Sequence, residues 1–170
     1  MHTILCRLFR VLFLAALLAA PPLRAADNMD ELTRQVAAYE LTLPKIEAYG
    51  AAMSSLADWA VANPKEAAAI AKRTPKNMGN LKASIAFIEK EAAIFSTLKR
   101  FDLSSADYIL IPAATMQAGI AALGVQQGRS FPTDRINPKN IALIQAHQAQ
   151  IDRIITKVRA DQARITGPKN

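Results

Sequence analysis

The sequence is poor in the residues from which catalytic and metal centres are usually built. Its one cysteine, Cys6, and one of its two histidines lie within the first ten residues. Cys6 follows Leu5 without the small residues of a lipid-attachment motif, so we do not expect lipidation there. Removal of this N-terminal region leaves no disulfide, thiolate metal site, iron–sulfur cluster, covalent haem or cysteine nucleophile. The remaining histidine cannot form a multi-histidine metal site alone.

The N-terminus has the pattern of an export signal. Two arginines in the first ten residues precede the apolar run Val11 to Ala20, and Leu23-Arg24-Ala25 ends in the small residue expected before a cleavage site. The apolar run is shorter than the roughly 20 residues that a membrane-spanning helix needs. The sequence therefore predicts a signal peptide over residues 1–25. The mature domain, residues 26–170, is predicted to be periplasmic or secreted.

The charge pattern argues against a nucleic-acid partner. The chain has 21 basic and 14 acidic residues, a net charge of +7, and loss of the three arginines in the predicted signal leaves +4. Basic and acidic residues are interspersed along the chain, whereas nucleic-acid binding favours a basic stripe. The pattern predicts a solvated surface of mixed charge.

Apolar residues recur at the three- and four-residue spacing of amphipathic helices. Asn63-Pro64 and Asn137-Pro138 each place a capping residue before a proline, and Thr74-Pro75 is a third candidate helix start. Ser104 and Asp107 have the spacing of a capping box. No two-residue turn separates β-branched runs. We predict an all-α, single-domain antiparallel bundle of about five helices.

Two apolar stripes extend this prediction. The stripe from Leu81 to Leu98 predicts one long helix, and the stripe from Ile141 to Ile165 predicts the last helix of the chain.

One stretch carries no charge from Tyr108 until Arg129. Pro112, Gln117, Gly119 and Gly124 interrupt it, and it begins at the predicted capping box, so we expect a central helix buried on all sides rather than a membrane span. Ala114 and Ala118 belong to a small-residue stripe that lets a neighbouring helix approach closely. Large residues are expected to fill space around the rest of the axis: Ile109, Met116, Ile120 and Leu123.

Three stretches together resemble known proteins: Leu41-Thr42-Leu43 at a helix start, Leu103 to Tyr108 at the entry of the uncharged stretch, and Asn140 to His147 in the last helix. Their succession is similar to small secreted helical proteins of proteobacteria. The resemblance covers most of the predicted mature chain. It implies an exported helical fold and no particular activity.

A haem site is the alternative function. Haem-b bundles of the periplasm bind iron with a Met from an early helix and a His from the last one, and Met53 or Met29 with His147 matches that pattern loosely. His147 can equally pair with Glu40, Glu47 or a backbone carbonyl. The leading interpretation has no cofactor.

Two further patterns give weak indications of chemistry. Ser96 and Lys99 match the Ser-x-x-Lys of penicillin-recognising enzymes, but the partner motifs of those enzymes are missing, so an exposed helix end is the better interpretation. Glu40 and Glu47 share a helix face but lack a third oxygen ligand for a cation. We therefore predict neither an enzyme nor a metal site.

The longest predicted loop, Gly124 to Asn137, is a second place for binding. It carries Arg129, Phe131 and Arg135, two charges flanking an aromatic ring. Loops on rigid scaffolds often bind partners, although this loop can also be a plain linker.

Binding is the function that remains. We predict a non-enzymatic exported bundle that binds either an envelope protein or a small apolar molecule. A carrier of apolar molecules should have an internal cavity near Ala114 and Ala118, whereas an interaction protein should expose an apolar patch.

Overall fold

The computed structural model of the protein describes residues 23–75, 80–128, 130 and 135–166, with side chains described from residue 31 to residue 165. These residues form helices and no strands, so the all-α prediction is confirmed. The seven helices are α1 (Leu23–Ala38), α2 (Leu43–Ala62), α3 (Pro64–Arg73), α4 (Leu81–Lys90), α5 (Ala92–Arg100), α6 (Ser105–Gln126) and α7 (Pro138–Thr166). An antiparallel bundle of about five helices is not confirmed. Residues 1–22 of the predicted signal lie outside the described residues, and its predicted cleavage point falls within α1.

Helix starts follow the local capping chemistry. α3 begins at Pro64 and α7 at Pro138, as the Asn-Pro pairs predict. At the start of α6, the Ser104 hydroxyl accepts a hydrogen bond from the Asp107 backbone N–H, and the Asp107 carboxylate accepts one from the Ser104 backbone N–H. The capping box is therefore confirmed. Thr74, in contrast, is the C-cap of α3, and Pro75 lies outside the described helices.

The stripe from Leu81 to Leu98 forms two helices, so the prediction of one long helix is wrong. The backbone of Glu91 is extended between α4 and α5. The buried Glu91 carboxylate accepts hydrogen bonds from Nε and Nη2 of Arg73 at 3.0 and 2.7 Å. This bidentate ion pair links the break between α4 and α5 to the end of α3. It is a tertiary contact that the apolar spacing does not encode.

The most extensive contact in the fold is between α2 and α7. The two helices run in the same direction, because residues further along α2 contact residues further along α7. Hydrogen bonds that follow this order join Leu41 to Asn140, Glu47 to Gln150, Ser54 to Asp161 and Asp58 to Arg164.

Gly50 lets α2 and α7 pack closely. A Cβ atom at Gly50 would lie 2.5 Å from Cγ2 of Ile154, so only glycine fits without displacement of that side chain. On α7, buried residues recur every seven positions at Ile144, Ile151, Val158 and Ile165. α7 bends at His147, whose backbone angles leave the helical range.

α6 is only partly covered by the other helices. Tyr108, Ile111 and Leu110 in its first half are buried. In its second half Met116, Ile120 and Leu123 are 41%, 57% and 54% exposed, so the prediction that they fill the core is wrong. The helices that contact α6 are chiefly α7, α4, α1 and α2. They cover most of its remaining surface, although Val125 near its end is also 43% exposed.

α6 is also the one helix among the described residues that is long and apolar enough to cross a membrane. More than half of its most apolar window is buried inside the fold. The core helix of a soluble protein has the same composition and length, so these two properties alone do not indicate a span.

Candidate functional site

One polar cluster beside α2 holds the N-terminal ends of α6 and α7. Burial alone would raise the pKa of the Asp107 carboxyl, but hydrogen bonds from Tyr39, Ser104 and Lys45 outweigh it and hold the pKa below its usual value. Asn140 is buried, accepts a hydrogen bond from the Leu41 N–H at 2.8 Å and donates one to the Tyr39 carbonyl at 2.8 Å. This cluster gives α6 a firmly positioned start.

Ala114 and Ala118 lie in the core, and each is 1% exposed. They belong to the same buried cluster as Ile111 of α6 and Ile151 of α7. The small-residue stripe therefore serves close helix packing within this chain.

The apolar face of α6, which we define as Met116, Gly119, Ile120 and Leu123, is the largest feature that the fold leaves uncovered on this helix. The spacing of three and four residues places all four on one side of the helix. Ile109 and Ala113 continue the stripe toward the start of α6, but there they are half-buried against the core. Single exposed apolar residues are ordinary on protein surfaces, whereas contiguous apolar patches often mark binding sites.

Gly119 has no explanation among the described residues. A Cβ atom at Gly119 would have no heavy atom within 4 Å, and the residue has no positive φ. Glycine in the middle of a helix costs about 0.5–1 kcal/mol relative to alanine. Neither backbone conformation nor packing in the isolated chain requires that cost.

The apolar face is also free of charge. After Asp107, α6 contains no charged residue to its end at Gln126. An apolar partner can cover the face without removing a charged group from water. A partner that relies on ion pairs finds no countercharge there.

An open groove of about 480 Å³ lies between α2 and α5. Most of its polar side chains are already bonded to neighbours. Arg100 donates to the Ser55 hydroxyl, the Asn63 amide donates to the Trp59 carbonyl at 2.9 Å, and Asp58 pairs with Arg164 at 2.8 Å. The groove therefore offers few polar groups that converge on a ligand.

Ser96 lines this groove but has no catalytic partner among the described contacts. Its side chain is exposed, and its hydroxyl donates to the Ala93 carbonyl at 3.4 Å. The Lys99 ammonium instead lies 5.4 Å from the centroid of the Phe95 ring. A nucleophilic serine needs a base within hydrogen-bond reach, and this arrangement does not provide one.

A second serine–lysine contact, between α2 and α7, was not predicted from the sequence. Lys157 Nζ lies 2.8 Å from Ser54 Oγ and 2.8 Å from the Asp161 carboxylate. Hydrogen bonds from Lys157 and Ser54 lower the pKa of Asp161. An ionised carboxylate pairs with the ammonium form of lysine, which cannot accept the serine proton. The cluster links two helices: Ser54 lies 103 and 107 residues from Lys157 and Asp161, so only the i,i+4 pair of Lys157 with Asp161 has a local pattern.

Met53 and His147 are not brought together. Met53 is buried in the middle of α2, whereas the pairing of Glu47 with Gln150 places His147 level with the beginning of α2. The offset along the axis is roughly 13 Å, in addition to the separation of the helices, which is too far for both to bind one iron. Met29 lies in α1, and its side chain is outside the described ones. Its pairing with His147 stays a prediction.

The two glutamates considered for a cation are engaged elsewhere. Glu40 pairs with Lys139 at 2.9 Å, and Glu47 accepts a hydrogen bond from the Gln150 amide at 2.6 Å. Among the described residues, neither glutamate hydrogen-bonds His147. Over the described part of the chain, no group of three or more His, Cys, Asp or Glu residues is placed to hold a metal ion.

The predicted loop site is largely outside the described residues. This applies to Arg129 and Phe131, while Arg135 is exposed just before α7. A partner contact at this loop therefore stays a prediction.

Comparisons with known proteins identify no family for this chain. No protein family, curated protein or solved structure matches the chain. The resemblance to small secreted helical proteins stays a prediction, and the geometry of the described residues is the basis for a functional proposal.

Proposed function

We propose that the protein is an exported, non-enzymatic helical bundle that binds another protein through the apolar face of α6. One observation carries the proposal: Met116, Ile120 and Leu123 are exposed side by side on a helix whose buried residues belong to the core. Covering them removes apolar surface from water, which is the main source of free energy in most protein association. The helical form of the face suits a helix or a shallow groove on the partner.

Protein binding has more support than carriage of a small apolar molecule. Small molecules bind in concave sites that enclose most of their surface. The apolar face is the convex side of a helix, and Ala114 and Ala118, which were expected beside a cavity, are packed against core residues. A second protein can cover a convex face, whereas a small molecule on it stays largely in water.

The absence of enzymatic activity is part of the proposal. Ser96 hydrogen-bonds a backbone carbonyl and has no base within reach among the described contacts. Ser54 contacts Lys157, but that lysine is paired with the Asp161 carboxylate and does not act as a base. The placement in the periplasm or outside the cell rests on the predicted signal over residues 1–25. The single domain over residues 26–170 rests on the same prediction.

Site-specific photo-crosslinking in cells that make the protein tests the proposal. A photoreactive phenylalanine analogue replaces Ile120 in one variant and Val61 in a matched control. Val61 is 52% exposed but lies on α2, outside the apolar face. We expect a discrete protein adduct from position 120 and none from position 61. Equal labelling from both positions, or none from position 120, contradicts the proposal.

A further inference from the structure

We propose that residues 81–100 are a two-state hinge: the ion pair of Glu91 with Arg73 holds them bent as α4 and α5, and without the pair they form one straight helix. This conformational device lies in α3, α4 and α5, and it does not depend on the proposed function of α6. Three observations carry it: a bend that the local sequence does not require, a contact that maintains the bend, and an apolar face suited to the straight form.

The local sequence favours helix through the bend. The segment from Ile88 to Ile94 reads Ile-Glu-Lys-Glu-Ala-Ala-Ile and contains neither glycine nor proline, and its glutamates, lysine and alanines are among the strongest helix formers. Sharp kinks in helices usually lie at proline, at glycine and serine, or where a group inserts into the backbone hydrogen bonds. At Glu91 the backbone is nevertheless extended, with φ −91° and ψ 92°, and its side chain does not cap α5. The cause of the bend therefore lies outside this segment.

Arg73, the last residue of α3, supplies the contact that maintains the bend. The Glu91 residue is 7% exposed, and both oxygens of its carboxylate accept a hydrogen bond from the Arg73 guanidinium. A buried carboxylate without a cationic partner is costly, and a bidentate guanidinium is the partner that suits it best. The buried position of Glu91 therefore depends on Arg73. Without the guanidinium, the carboxylate has to move toward water, and the extended backbone at Glu91 loses its support.

The straight form has an apolar face that the bent form uses only in part. Ile88 in α4 and Ile94 in α5 are buried, but in a straight helix these two positions lie about 120° apart around the axis. Ile85, Ala92 and Phe95 share one side with Ile88, at spacings of three and four residues. In the bent form Ala92 is exposed, and Ile85 and Phe95 are half-buried. The bend thus replaces a continuous apolar stripe with two shorter faces that point in different directions.

The two faces pack against different helices. α4 contacts α6, whereas α5 contacts chiefly α2. A change from the bent to the straight form turns one of these faces away from its neighbour. The Arg73–Glu91 pair, at the end of α3, therefore holds α4 on α6 and α5 on α2 at the same time. Hinges of this kind are a few residues at the ends of helices that absorb a large change in backbone angle, and Glu91 is in that position.

Amide hydrogen exchange, measured by NMR on the processed protein, tests the hinge. The first N–H groups of a helix have no intrahelical acceptor, so those of Ala92 and Ala93 should exchange quickly in the wild type. In Arg73→Met we expect both amides to exchange about tenfold more slowly or slower still, because they bond within a continuous helix. Arg164→Met is the matched control and should leave them unchanged. The Arg164 side chain is 50% exposed, against 55% for Arg73, and it also links two helices by an ion pair.

Two further variants keep the test decisive if Arg73→Met does not fold. Glu91→Ala removes the buried carboxylate and introduces the best helix former, so it leaves no unpaired charge in the interior. It should slow the same two amides and bring the Cα chemical shift of position 91 into the helical range. Ala92→Pro does the opposite, because proline is tolerated at the first position of α5 but not inside a continuous helix. Added to Arg73→Met or to Glu91→Ala, it should restore fast exchange at Ala93.

Four outcomes overturn the hinge. Fast exchange at Ala92 and Ala93 in Glu91→Ala means that packing against α2 and α6 makes the bend without the ion pair. A folded Arg73→Met that keeps the bend removes Arg73 from the device. Slow exchange at Ala93 that persists after addition of Ala92→Pro does not come from a continuous helix. Slow exchange of both amides in the wild type means that α4 and α5 are already joined. None of these results bears on the apolar face of α6, so the proposed function stands or falls separately by photo-crosslinking.

Discussion

Gly50 and Gly119 each sit inside a long helix, but their surroundings differ completely. Around Gly50, α2 and α7 are in close contact, with Ile154 filling the space that a side chain would need. Around Gly119, no atom of the described residues lies within 4 Å of the position of a Cβ atom, and exposed apolar residues lie on both sides. The contact of α2 with α7 is complete within one chain, whereas the apolar face of α6 has the residues of a packing surface without a packing partner.

The largest expected effect comes from the same truncation made in both regions. Ile151→Ala removes a buried side chain from the contact of α2 with α7 and should lower the free energy of unfolding by about 2–4 kcal/mol. Ile120→Ala, on the apolar face, should change it by less than about 0.5 kcal/mol in dilute protein. Urea denaturation of both variants measures the difference. Similar losses in the two variants would mean that Ile120 is covered within the monomer.

Asn140 tests the polar end of the α2–α7 contact. Asn140→Ala leaves the Leu41 N–H without its acceptor in a buried site, while the Tyr39 carbonyl keeps a longer bond from the Asn137 amide at 3.4 Å, and should cost about 1–2 kcal/mol. Gln145→Ala, at an exposed position of the same helix, is the control and should be close to neutral. Thermal and urea unfolding report both. A neutral Asn140→Ala would show that water replaces the amide and that the start of α7 is less tightly held.

Alanine at the two glycines should act with opposite signs. Gly50→Ala forces Ile154 to move and should destabilise the fold by about 1–2 kcal/mol, after the gain in helix propensity is counted. Gly119→Ala meets nothing and should stabilise the monomer by about 0.5–1 kcal/mol. Denaturant titrations at low protein concentration measure each change. The comparison fails if both substitutions change stability in the same direction.

Lowering the pH should reduce folding stability through the contact of α2 with α7 and not through the apolar face of α6. This is the smallest of the expected effects. Because hydrogen bonds from Lys157 and Ser54 lower the pKa of Asp161, its ionised form stabilises the fold above the unfolded pKa of about 3.9. That contribution is lost as the pH falls through the lower folded pKa. Asp161→Asn should show a smaller loss of stability between pH 5 and pH 2.

The features that follow from local chemistry could be predicted from the sequence. Asn-Pro pairs and the Ser104–Asp107 capping box act within one helical turn, and α3, α6 and α7 begin where they indicate. The break at Glu91 could not be predicted in this way. It depends on Arg73, which is 18 residues away and on another helix.

The apolar face shows why the site itself was harder to predict. The uncharged stretch after Tyr108 indicates a helix with no preferred polar side, and such a pattern cannot say which side its neighbours will cover. The prediction of Arg129 and Phe131 as binding residues rests on the frequency with which loops bind partners. The exposed apolar surface lies instead on a helix whose composition is typical of a core. Gly119 was the available signal, since a glycine inside an apolar helix calls for a reason.

The parallel arrangement of α2 and α7 also bears on when the chain can finish folding. Its hydrogen bonds join residues about 100 positions apart, from Leu41 with Asn140 to Ser54 with Asp161. Contacts so distant in sequence form late and slow the folding of a helical protein. α2 therefore cannot form its most extensive contact until α7 has been synthesised. On the proposed route of export, this delay leaves α2 without its most extensive contact until α7 has also crossed the membrane.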